Sequence, residues 1–173
     1  MDLVKNLIVE IEQLKAEKKF DIALQKLENS LSNYNDDYRI YEEIADIYLY
    51  LGKNTKALKA IDFALNINKD SATGNYLKGF LLLTSNKVVE AVELLEKSNS
   101  IMPNNSEVLR NLGWGYSVIG NYEKGIFILK RALNLAPNDR LITEDLAMAL
   151  IGSGKIKEGN ILLEKIGKNK ILI

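Results

Sequence analysis

"NLGWGYSVIGNYEKG", residues 111–125, decides the reading of this chain. Gly113, Gly115, Gly120 and Gly125 punctuate a run that otherwise reads as helical, and the one tryptophan, Trp114, sits between two of them. Glycine inside a helix costs roughly 1 kcal/mol relative to alanine. A helical segment that carries so many needs small side chains for another purpose, such as a close helix approach or a tight turn.

The same stretch recurs. The chain's two prolines, Pro103 and Pro137, lie 34 residues apart, and a fixed period of this size is the mark of a repeat architecture. Writing the 173 residues in rows of 34 gives 4–37, 38–71, 72–105, 106–139 and 140–173. The eighth column reads Ile11, Ala45, Gly79, Gly113, Ala147, and the twentieth reads Ala23, Ala57, Ala91, Gly125, Gly159. The fifteenth reads Lys18, Gly52, Asn86, Gly120, Gly154, and the twenty-fourth reads Leu27, Ile61, Leu95, Leu129, Leu163.

Each column has a mechanical meaning. Leu109, Leu112, Gly113 and Tyr116 fall on one face of a first helix, because their spacing follows the 3.6-residue period. Gly125, Leu129 and Ala132 form the inward stripe of a second helix. Small residues in columns eight and twenty let the two helices approach. Gly or Asn in four of the five rows of column fifteen marks a turn that wants a left-handed backbone. The rows join through "NINKDS", "IMPNNS" and "LAPND", where proline stops one helix and Asn, Asp or Ser caps the next. A lone hairpin cannot bury its apolar faces, whereas stacked hairpins bury them jointly.

These residues, Leu109, Leu112, Gly113, Tyr116, Gly125, Leu129, Ala132 and Pro137, closely resemble the tetratricopeptide repeat (TPR), and the resemblance runs over residues 4–173. It implies an all-α, right-handed superhelical solenoid of antiparallel helix hairpins, with residues 1–173 forming a single array of five repeats. The pattern departs at Glu10, Asn75 and Lys78, which stand in core columns, and at Asn160 and Gly167 in the last second helix.

Composition excludes several kinds of chemistry. Twenty-three basic residues balance twenty-three acidic ones, so no net field draws the chain to nucleic acid or an anionic membrane. The chain has no cysteine and no histidine, which removes disulfides, thiol nucleophiles, imidazole bases and the usual zinc ligands. The opening residues lack the pattern of a secretory leader, and no apolar run approaches the ~20 residues that span a bilayer. The expected setting is cytoplasmic, with no membrane insertion.

Two motifs invite chemistry and have plainer readings. "GSGKI" at 152–156 is part of a phosphate-loop pattern, but Ala149 and Ile156 stand where Gly and Ser or Thr are required. The acidic pairs Asp36-Asp37, Glu42-Glu43 and Glu144-Asp145 sit at starts of first helices, where the helix dipole favours them. No catalytic residue, cofactor or metal site is expected.

The remaining stripe of each first helix, columns 2, 5, 9, 12 and 13, is the face that in TPR proteins lines a concave groove for peptides or partner helices. Here it is charged toward the N-terminus and apolar and aromatic from the middle to the C-terminus. The candidate groove residues are Tyr50, Tyr76, Phe80, Leu83, Arg110, Trp114, Val118, Met148 and Ile151. Phe80, Trp114 and Met148 share column nine and are expected to form a ladder. Contiguous exposed apolar surface marks binding sites, and aromatic residues are favoured anchors. The competing reading is that these side chains fill a tight superhelix.

The family's capture of a chaperone's C-terminal carboxylates uses Lys, Asn and Arg at set columns. This chain offers Ile8, Glu12, Glu43, Thr73 and Leu77 there, and shifting by one or two repeats supplies no cationic clamp either. The expected function is a non-enzymatic protein–protein interaction module that takes an apolar peptide or amphipathic helix. The alternative is a scaffold that self-associates through an uncapped C-terminal edge formed by Ile161, Leu162, Leu163, Ile166 and Ile171 to Ile173. RNA binding needs a basic groove that the stripe lacks.

Overall fold

The computed structural model describes residues 2–169 and 171, which contain ten α-helices and no strand. The chain divides into two compact units, Met1–Leu81 and Leu82–Ile173. The first holds α1 (Leu3–Ala16), α2 (Phe20–Tyr34), α3 (Tyr38–Tyr50), α4 (Asn54–Ile67) and most of α5 (Ala72–Thr84). The second holds the last residues of α5, then α6 (Val88–Ile101), α7 (Ser106–Val118), α8 (Tyr122–Leu135), α9 (Arg140–Gly152) and α10 (Ile156–Lys165). Helices α3, α5, α7 and α9 start 34 residues apart.

First helices start from side-chain caps. The carboxylate of Asp139 accepts from the amides of Leu141 and Ile142 at 2.8 and 3.0 Å, and the Asn105 amide oxygen accepts from Glu107 and Val108 at 3.0 and 3.1 Å. Such bonds satisfy amides that the helix leaves unpaired.

First helices end on a single device. Lys18, Gly52, Asn86, Gly120 and Gly154 all have positive φ, between 59° and 87°. The next residue's amide then reaches back to the helix, as from Lys53 to Tyr48 O (2.8 Å) and from Asn121 to Tyr116 O (2.9 Å). This closure satisfies the last carbonyls and reverses the chain into the second helix. Lys18 adopts the turn conformation although it is neither Gly nor Asn.

The core of the first unit gathers Ile11, Leu27, Ile40, Ile47 and Ile61, all fully buried. The departures from the pattern resolve locally. Glu10 lies outside this core and pairs with Lys26 at 2.9 Å. Asn75 is buried, and its side-chain amide donates to Ser71 O at 2.6 Å and Lys69 O at 3.1 Å. Lys78 reaches Asp62 at 2.8 Å. In the second unit, Leu129, Leu146 and Leu150 form one buried cluster, and Ala147, Ile151 and Leu163 another.

The glycines around Trp114 pack helices on two sides. A Cβ on Gly113 would stand 2.7 Å from Leu129 Cγ and 3.0 Å from the main-chain oxygen of Gly125 on α8. One on Gly115 would stand 2.8 Å from Val92 Cγ2 on α6.

Candidate functional site

Trp114 is 37% exposed and Met148 38% exposed. With Ser117 and Val118 of α7, Tyr122 of α8, and Ala149 and Gly152 of α9, they line an open depression of about 280 Å³. Gly152 shapes it, since a Cβ there would come within 2.6 Å of the Tyr122 ring. The lining is mainly hydrocarbon and ring surface, with the Ser117 hydroxyl turned away to donate to Gly113 O at 2.9 Å. Such a surface can desolvate an apolar side chain.

Arg110 is half-buried at the next turn of α7, and its Nε donates to Asp145 Oδ2 at 2.6 Å. Burial pushes the Asp145 carboxyl above its usual range, and the Arg110 guanidinium opposes that. Arg110 is therefore engaged within the chain rather than held open for an anionic ligand. Ile151 is 7% exposed, packs on Ala147 and Leu163, and also lines the depression. Leu83 is half-buried.

In the first unit, Tyr76 and Phe80 are half-buried, with ring centroids 6.4 Å apart. Tyr50 is 65% exposed and lies against Phe20 at 4.5 Å between centroids. The charged part of the stripe is self-paired. Lys15 Nζ meets Glu12 at 2.7 Å, Glu43 at 3.0 Å and Asp46 at 2.6 Å. Burial works against the Lys15 charge, but the Asp46, Glu12 and Glu43 carboxylates outweigh it and hold the ammonium above the usual lysine range.

Glu42 falls on the open stripe by its column and is buried instead, at 6% exposure. The Ser71 hydroxyl donates to its carboxylate while accepting from the Gly74 amide at 3.1 Å. Two residues of the depression, Tyr122 and Ala149, escape the column reading. Tyr122 opens a second helix, outside the columns counted for the groove, and its link to Gly152 of the following hairpin has no local signal.

The "GSGKI" turn engages its own amides within the chain: Gly154 N–H donates to Ile151 O and Lys155 N–H to Leu150 O, each at 2.9 Å. Among the described residues, no group of His, Cys, Asp and Glu is arranged to hold a metal ion, and no helix is long and apolar enough to cross a membrane.

The C-terminal edge is covered at one point by the chain itself. Ile161 is 64% exposed, but Leu163 is buried and Ile171 packs beside it. Leu172 and Ile173, expected in the same open edge, lie outside the described residues.

Comparison with known proteins matches residues 39–162 to the family model described as Psidin, N-terminal TPR repeats region. BBSome complex member BBS4 of Bos taurus is 29% identical over 103 residues, 60% of this chain, so the chain spans only 20% of that protein's length. Among solved structures, PilW, a type IV pilus biogenesis factor, superposes with a TM-score of 0.83 at 23% identity over 95% of this chain and 77% of its own. MamA from Desulfovibrio magneticus RS-1 gives 0.77 at 20% identity over 96% and 94%. A thermophilic TPR protein from Thermus thermophilus gives 0.73 at 20% identity over 93% and 88%. At these identities the structures establish a helical-repeat fold.

Proposed function

The chain belongs to the family of Psidin N-terminal TPR repeat regions, and on that premise we propose that it is a non-enzymatic adaptor that binds an apolar segment of a partner protein. The observation that carries this reading is the depression walled by Trp114, Met148 and Tyr122. It combines a half-exposed tryptophan with a methionine, the pairing of a rigid anchor and an adaptable wall that protein-binding surfaces favour. The segment would be an apolar peptide or an amphipathic helix that inserts one or two side chains there. Val118 at the rim, 47% exposed, and Leu141, 53% exposed on α9, extend the apolar surface. By their columns, Tyr50, Tyr76 and Phe80 of the first unit and Leu83 of the second are further candidates for partner contact.

Self-association through the C-terminal edge has less support, because Ile171 already occupies part of that edge. A cytoplasmic setting belongs to the same proposal.

The test compares the wild-type chain with Val118→Asp, a change at the exposed rim of the depression alone, as baits in a pull-down from the native proteome, read by mass spectrometry. A partner retained by the wild type and lost by a variant of unchanged helical circular dichroism supports the groove. Partners retained equally by both would place binding elsewhere.

A further inference from the structure

After Lys165 the chain turns back on its own last hairpin. Gly167 takes a φ of +72°, and the Lys168 amide donates to Leu163 O at 2.9 Å. Lys168 Nζ pairs with Glu144 on α9. Asn160 then holds Ile171 by both polar atoms of its main chain: Asn160 Nδ2 donates to Ile171 O at 2.9 Å, and Ile171 N–H donates to Asn160 Oδ1 at 2.8 Å. The Ile171 side chain packs on the cluster of Ala147, Ile151 and Leu163. Beside it, a cavity of about 440 Å³ lies between Met148, Leu163, Asn169 and Ile171.

One amide that satisfies both the donor and the acceptor of a single residue reproduces what a neighbouring strand would do. Recognition of this kind reads the main chain through hydrogen bonds and one side chain through a pocket. Any extended peptide with an aliphatic side chain at the right place presents the same features. We propose that this end face of α9 and α10 is a docking site for an extended peptide segment bearing a branched aliphatic residue, filled in this chain by its own Ile171. The seated segment is the template for the ligand. The surface adjoins the Trp114 depression and shares Met148 and Ile151 with it, whereas Asn160 and Ile171 line only this end face.

The own segment is joined to the site by a short connection from Leu163, so it competes at a high effective concentration. A peptide in trans gains access when that segment detaches. Ile171→Asp replaces the apolar anchor with a charge that the Leu163 cluster cannot accommodate, at a position outside the ten helices. The probe is a fluorescently labelled, end-blocked peptide with the sequence of residues 166–171, titrated into the 173-residue chain. The expected result is binding to Ile171→Asp at least about tenfold tighter than to the wild type, lost when Asn160→Leu is added. Equal binding to wild type and variant, binding that survives Asn160→Leu, or no binding to Ile171→Asp would each overturn the proposal. Hydrogen exchange of the wild type supplies an independent arm should Ile171→Asp unfold. The Ile171 amide is expected to be protected and to lose protection in Asn160→Ala, whereas free exchange in the wild type overturns the assignment. A concentration-dependent dimer abolished by Asn160→Leu would make the occupant a second copy and also overturn it.

Discussion

The Ser71 hydroxyl donates to the carboxylate of Glu42, linking α3 to the start of α5 within the first unit. Ser71 Oγ also accepts from the Gly74 amide at 3.1 Å, so Glu42 completes a cap on α5. Burial pushes the Glu42 carboxyl above the usual carboxylate range, while the Ser71 hydroxyl and the Gly74 amide oppose that push. A group whose folded pKa exceeds its unfolded value gives stability that is fully present below the unfolded pKa. That stability is lost as pH rises through the folded one. Glu42→Gln keeps an acceptor for Ser71 and cannot ionise. It is expected to raise the urea midpoint near neutrality, with the gain vanishing as pH falls below the carboxylate range. A variant that is less stable near neutrality would show that the ionised form is the one the cap requires.

Lys18 carries a φ of +59° in the turn between α1 and α2, where an L-residue with a Cβ is strained by about 1–2 kcal/mol. Part of that strain is offset in Lys18→Gly by the greater freedom of glycine in the unfolded chain. The variant is expected to gain about 1 kcal/mol in urea unfolding followed by circular dichroism. Gly120→Lys, the reverse change at the matching turn, is expected to lose a similar amount.

The turn at Lys18 also shows what the sequence discloses and what it hides. The period, the small columns and the turn column are local and repeat in every row, so ten helices and their pairing are legible. Gly113 and Gly125 announce the α7–α8 contact because each sits in a fixed column. Lys18 is anomalous in residue type, yet the backbone closure from Lys19 N to Leu14 O at 2.8 Å imposes the turn regardless. Groove membership is less legible. A column assigns a direction from the helix axis but not what arrives from the next hairpin, so Glu42 and Ile151 count as open although Ser71 and Leu163 cover them. The pairing of Asn160 with Ile171 lies outside the repeat pattern, and no column anticipates it.

Gly113→Ala sets two opposed effects against each other. Helix propensity favours alanine by roughly 1 kcal/mol, but the new methyl would stand 2.7 Å from Leu129 Cγ and 3.0 Å from a main-chain oxygen that cannot move aside. Overpacking of this kind costs typically about 1–3 kcal/mol. The net expectation is a loss of about 1–2 kcal/mol in chemical denaturation. Gly113→Leu is expected to be far more disruptive. An unchanged or raised midpoint for Gly113→Ala would mean that α7 and α8 shift apart freely, against the close approach at Gly125.

Trp114 separates a binding role from a structural one. Truncating a fully buried large side chain costs about 3–5 kcal/mol, but Trp114 is 37% exposed and walls an open depression. The part of its ring that faces the depression beside Met148 and Tyr122 is lost in Trp114→Ala. A stability loss of about 1 kcal/mol is expected, well under that of Leu112→Ala, whose side chain is 3% exposed. Partner binding is expected to fall by about 2 kcal/mol or more, the cost of removing an anchor. The indole, as the only tryptophan, reports directly. Its emission is expected to be that of a partly hydrated ring in the free chain and to shift to shorter wavelength when a partner segment fills the depression. Urea midpoints of the two variants and an emission titration against the captured partner decide the matter. An emission already typical of a buried indole, together with a midpoint loss in Trp114→Ala as large as that of Leu112→Ala, would make Trp114 part of the core and remove the groove's central anchor.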